Sequence, residues 1–113
     1  MLKTKIQNGI PEITPQDAKS ILKDVLLIDV RQPDEFTGEL SHIDGAQLVT
    51  LGPALSKFLE TGDRQKDVLF ICKSGGRSGK ATQEALALGY KSVANITGGM
   101  ILWNELNLPI KKK

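Results

Sequence analysis

The chain has 113 residues, 40% apolar and 25% charged, with a net charge of +2, which is the profile of one globular domain and gives no reason to expect nucleic acid as a partner. One cysteine excludes an internal disulfide framework and a Cys-rich metal site, and a single histidine weakens a metal site further. No stretch nears the ~18 consecutive apolar residues of a membrane span, and the amino terminus lacks the apolar core of a secretory signal, so no membrane association and a reducing, cytoplasmic setting are expected.

In chain order, Thr14-Pro15-Gln16-Asp17 reads as a helix start: a capping hydroxyl, a proline suited to the first helical position and an acid at the positive helix end. Ala18, Ile21 and Leu22 then recur at helical spacing. Leu26 to Val30 is a short apolar run of the kind that fills central parallel strands. Pro33 opens a second short helix that carries Phe36 and ends near Gly38. Residues 46–51 form a third candidate strand, Pro53 starts a helix with Leu55, Phe58 and Leu59 on one side, and Thr61-Gly62-Asp63 closes it. The strand Val68–Ile71 comes next, then a helix from about Ser78 to Leu88 closed by Gly89, then the strand Val93–Ile96. Gly98-Gly99 leads into a last short helix holding Trp103, which reads as core filling. Lys111-Lys112-Lys113 reads as part of a short solvated basic tail over residues 110–113.

Short apolar strands alternating with helices predict an open α/β domain, three layers deep, around a mainly parallel sheet of about five strands. Ligands in such sheets lie beyond the carboxyl ends of the strands. Cys72 sits at one of those ends, directly after Val68–Ile71. Gly75 and Gly76 allow the amides of residues 73–78 to curl toward one point, and the helix beyond them adds partial positive charge. A cysteine at that point ionises easily, and Lys73 and Arg77 would draw an anion toward it. A merely buried core cysteine has no need of two cations in the next five positions. A nucleotide-binding P-loop fails, because Ser74 stands where its first glycine belongs and Ala81 where its hydroxyl belongs.

Cys72-Lys73-Ser74-Gly75-Gly76-Arg77-Ser78 resembles the active-site loop of the rhodanese family of sulfurtransferases. Asp29-Val30-Arg31 with Pro33-Asp34-Glu35-Phe36 is similar to the family's first segment, and Ser41-His42-Ile43-Asp44-Gly45-Ala46 to a Gly-His-Ile-x-Gly-Ala segment in which Ser41 replaces the usual glycine. Gly98-Gly99 and Trp103 match its closing motif, so the resemblance spans about residues 9 to 109 of a single domain.

The resemblance implies that Cys72 takes the outer sulfur of thiosulfate, or of a similar anionic donor, as a persulfide. A thiophilic acceptor such as cyanide or a thiol, including one on a thioredoxin-like or sulfur-relay protein, then removes that sulfur, with no cofactor or metal involved. Lys73 and Arg77 would bind the donor's sulfonate-like end, with Ser74, Gly75, Gly76 and Ser78 completing the loop. Asp29, Arg31 and Glu35 are expected to brace strand against helix. His42 is expected to support the site rather than to complete a Cys72–His42–Asp29 triad, since a thiolate made by the loop needs no base. Two other functions fit the fold. A cysteine phosphatase is disfavoured because only four residues separate Cys72 from Arg77, where the related phosphatases use five to seat a tetrahedral oxyanion. A docking module without chemistry is disfavoured because such modules often lack the cysteine.

Overall fold

In a computed structural model, which describes residues 2–111, six strands form one sheet in the order β1-β2-β6-β5-β3-β4. They are β1 (Lys5–Gln7), β2 (Ile10–Ile13), β3 (Leu26–Asp29), β4 (Gln47–Leu48), β5 (Val68–Ile71) and β6 (Val93–Ile96). The helices are α1 (Pro15–Ile21), α2 (Pro33–Phe36), α3 (Pro53–Thr61), α4 (Gly76–Ala87) and α5 (Gly99–Glu105), with a 3-10 turn at Leu22–Asp24. The β1–β2 pair is antiparallel, and every other pairing of these strands is parallel.

The strand pleat divides the core in two. Val68, Phe70 and Cys72 of the β5 segment point into one cluster with Leu55 and Leu59 of α3 and Ala81 and Ala85 of α4. Leu69 and Ile71 point the other way, onto Ala18 of α1 and Met100 and Trp103 of α5. Helices on both faces make the three layers expected from the alternation of elements. The cap expected at Thr14 is also present: Asp17 N donates to Thr14 Oγ1 at 3.1 Å.

Three features differ from the sequence expectation. The sheet has six strands rather than about five, because residues 5–13 fold as a two-stranded hairpin whose Asn8 and Gly9 both have positive φ, 52° and 79°. Those angles suit a two-residue turn between antiparallel strands, and Asn-Gly is the pair that adopts them most readily. The strand expected over 46–51 shrinks to Gln47–Leu48: Val49 N and Leu51 N still bond to Asp29 O and Val30 O, but β3 then turns away into the Asp29–Arg31 pair and leaves no ladder to continue. Helix α4 starts two residues early, at Gly76, with Gly75 capping it at φ 111°.

Lys111 is tied down rather than solvated along its backbone, since Lys111 N donates to His42 O at 2.7 Å and His42 N to Lys111 O at 3.4 Å. Lys112 and Lys113 lie outside the described residues.

Candidate active site

Cys72 ends the β5 run at the centre of the sheet and is 1% exposed. Two anchors set the path of the chain beyond it. Met100 N donates to Cys72 O at 2.8 Å and Ile101 N to Lys73 O at 3.0 Å, so the first turn of α5 holds the loop's carbonyls. The loop is thereby turned so that amides from its far side meet the sulfur. Gly99 makes this approach possible: a Cβ there would lie 2.5 Å from both carbonyl oxygens, closer than any side chain tolerates.

Gly75 N donates to Cys72 Sγ at 3.1 Å, and Ser78 Oγ lies 3.2 Å from it. Burial pushes the Cys72 thiol up. The Ser78 hydroxyl and the amides of Ser78, Gly75 and Ser74 pull it down further, and the net direction is below the ordinary thiol value. A thiol in such a place ionises more readily than a free one, and its thiolate is the nucleophilic form.

The cationic part of the loop is arranged differently from the expectation. Arg77, expected to meet an anionic substrate, donates from Nη1 and Nη2 to the two oxygens of Glu35 at 2.7 and 2.9 Å. Glu35 sits at N3 of α2, where its carboxylate also accepts from Gln32 N at 3.0 Å. The Arg77 guanidinium beside it holds Glu35 at about 2, against an ordinary 4.5. Lys73 pairs with no carboxylate among the described residues. It is exposed and, with Arg31, Glu35 and Ile101, lines a cleft of about 280 Å³. Lys73 is thus the loop's available cation, with Ser74 and Gly76 exposed beside it.

Asp29 and Arg31 form a buried pair. Arg31 Nε and Nη2 donate to Asp29 Oδ1 and Oδ2 at 2.9 and 2.8 Å, and Nη2 also donates to Ser41 O at 2.7 Å. The His42 ring stacks on Phe36 with centroids 3.8 Å apart, and Nδ1 donates to Phe36 O at 2.8 Å. Neither Asp29 nor His42 hydrogen-bonds the sulfur, so the structure brings no Cys–His–Asp triad together.

Asn95 and Glu12 belong to the site although no sequence motif marks them. Asn95 is buried in β6 and bonds Ser78, Gly75 and Glu12. The legible signal was a polar residue inside the apolar strand Val93–Ile96, which must find partners when buried.

The family model of the rhodanese-like domain matches residues 14–106. Thiosulfate sulfurtransferase 18 of Arabidopsis thaliana is 36% identical over 96 residues, 74% of this chain and 69% of that protein. An uncharacterised protein of Synechocystis is 33% identical over 103 residues, 91% of this chain but only 52% of its own length, so the chain spans about half of that relative. Among solved structures, the polysulfide-sulfur transferase homodimer of Wolinella succinogenes superposes with a TM-score of 0.73 at 32% identity, covering 87% of this chain and 75% of that one. The chain belongs to the rhodanese-like domain family.

Proposed function

We propose that the protein is a sulfurtransferase that carries a sulfane sulfur as a persulfide on Cys72, with thiosulfate or a similar anionic donor as its source. The observation that carries this reading is the Gly75 N–H at 3.1 Å from the sulfur of a cysteine at the carboxyl end of the central strand. An amide aimed at that sulfur stabilises negative charge without a general base. The names of the relatives, a thiosulfate sulfurtransferase and a polysulfide-sulfur transferase, point the same way.

In the first half-reaction the Cys72 thiolate attacks the outer sulfur of thiosulfate. The donor's S–S bond breaks, its electron pair leaves on sulfite, and the persulfide keeps the negative charge on its outer sulfur. In the second, cyanide or a thiolate attacks that outer sulfur and the Cys72 thiolate returns. This is covalent catalysis in two halves. Lys73 at the cleft meets the donor's sulfonate-like end, and Arg77 joins it only by loosening its hold on Glu35. The chain has one cysteine, so a relay of the sulfur onward requires a thiol on a partner. A reducing compartment such as the cytoplasm keeps that cysteine in its working form.

The test is the intact mass of the reduced protein before and after thiosulfate, with Cys72→Ser as control. The expected result is a gain of about 32 Da, absent in the control and discharged by cyanide as thiocyanate. An unchanged mass overturns the persulfide reading.

A further inference from the structure

The Ser78 hydroxyl has one proton and two acceptors. Its Oγ lies 2.5 Å from Asn95 Oδ1 and 3.2 Å from Cys72 Sγ, and all three residues are buried. The Asn95 amide cannot supply a proton to that short contact. Its Nδ2 gives its two hydrogens to Glu12 Oε2 at 2.8 Å and Gly75 O at 3.1 Å. The reversed amide would set its oxygen against those same two acceptors, so the orientation is fixed. Glu12 is fixed in turn by Thr97 Oγ1, which donates to it at 2.9 Å. Two oxygens 2.5 Å apart with no proton between them repel. The Ser78 proton therefore rests on the Asn95 side, and Ser78 turns a lone pair toward the sulfur. That arrangement suits a thiol donating its S–H to Ser78, and it does not suit a thiolate, which needs Ser78 to donate.

We propose that Asn95 is a positioning residue for Cys72: its side-chain carbonyl competes with the sulfur for the single Ser78 proton, which faces Asn95 when the sulfur is a thiol or persulfide and faces the sulfur when it is a thiolate. No covalent bond changes at Ser78. The O–H rotates about Cβ–Oγ, and the proton that the sulfur loses goes to solvent. Asn95 is thus a brake on ionisation that acts through Ser78 alone. Of its two other contacts, the one to Gly75 O is duplicated by Gly79 N at 3.0 Å, so the loop does not depend on it, and Glu12 keeps its bond from Thr97 Oγ1 at 2.9 Å. The charged groups around the sulfur are Lys73 in the loop, Arg77 of α4 clamped by Glu35 of α2, the Asp29–Arg31 pair at the end of β3, and Glu12 of β2 beyond Asn95. None of them hydrogen-bonds Sγ, and α5 meets the loop through backbone bonds from Met100 N and Ile101 N. One consequence rests on the sulfur-transfer reading: persulfide formation moves the charge to the outer sulfur, returns the Ser78 proton to Asn95, and so favours the loaded protein over the thiolate.

Alkylation of Cys72 by iodoacetamide as a function of pH tests the proposal without any sulfur donor, so its outcome is independent of the mass experiment above. In Asn95→Ala the thiolate forms at lower pH, and alkylation below the wild-type midpoint runs about three- to tenfold faster, the range set by one hydrogen bond to a charged group. In Ser78→Ala it runs slower by a similar factor, and the double variant matches Ser78→Ala. Slower alkylation in Asn95→Ala, or additive effects in the double variant, overturns the proposal. The wild-type protein gives a second reading that needs no substitution. The Asn95 side-chain carbonyl carbon shift, followed by NMR, moves with the Cys72 midpoint because that oxygen loses its donor. A flat Asn95 signal across the Cys72 titration also overturns it.

Discussion

Two arginine–carboxylate pairs flank the cysteine loop, and they are built for different work. Asp29 and Arg31 are two residues apart and their side chains are 0% and 1% exposed. Glu35 and Arg77 come from separate helices, with side chains 27% and 36% exposed. A buried pair gains little net energy by existing but is costly to halve, because the survivor is an uncompensated charge in low dielectric. An exposed pair costs little to open, because water takes over as it separates. The first pair is therefore a fixed brace at the end of β3. The second is an adjustable latch that holds Arg77 beside the loop and opens at little cost.

The largest effect tests the brace. Arg31→Ala strands the Asp29 carboxylate and frees Ser41 O of its partner, and a loss of about 3–5 kcal/mol is expected. Urea unfolding measures it. A loss under about 1 kcal/mol would make this pair as expendable as an exposed one.

The latch gives smaller effects with a pH signature. Glu35 is held at about 2 against an ordinary 4.5, chiefly by its hydrogen bonds to Arg77. A carboxyl lowered on folding contributes its stability in full above the unfolded value, and loses it as pH falls from about 4.5 to about 2. Because both partners are partly in water, that contribution is about 1 kcal/mol. Glu35→Gln therefore lowers stability by about that amount at neutral pH, and its stability curve converges on wild type near pH 2. On activity the sign reverses. On the proposed reading the open latch makes Arg77 available to the donor, and the expected KM for thiosulfate falls several-fold. Lys73→Ala raises that KM several-fold and leaves an uncharged sulfur donor nearly unaffected. Equal changes for charged and uncharged donors in both variants would show that neither cation meets the substrate.

The difference between the pairs also marks where the sequence stops being legible. Val68–Ile71 and Val93–Ile96 were readable as strands to the residue, because a short apolar run between turn residues has few other fates. The cysteine loop was readable because glycines between a strand and a helix permit one special backbone path. The Glu35–Arg77 contact was not readable, since it joins residues 42 apart and depends on how α2 is swung against α4. The hairpin over residues 5–13 is hard to read although Asn8-Gly9 suits its turn, because β1 is a short, exposed edge strand with no apolar run to mark it. With the hairpin went Glu12, and with Glu12 the reason that Asn95 tolerates burial.

The smallest effect sharpens the account of the brace at its third member. Ser41 supplies the carbonyl that receives Arg31 Nη2, and it does so at φ 58°. Among the described residues only two other non-glycine positions have positive φ, and both are asparagines, Asn8 and Asn107, which accept that region at little cost. A serine there crowds Cβ against the next carbonyl, by about 1 kcal/mol. Ser41→Gly relieves the crowding and keeps the carbonyl where Arg31 needs it, while the glycine returns part of the gain through a freer unfolded chain. The expected net is a stabilisation of about 0.5 kcal/mol, read as a rise in Tm of about 2 °C. A fall in Tm would show that the serine side chain itself holds the Ser41 carbonyl against Arg31, making the brace a three-residue device rather than an ion pair resting on a strained turn.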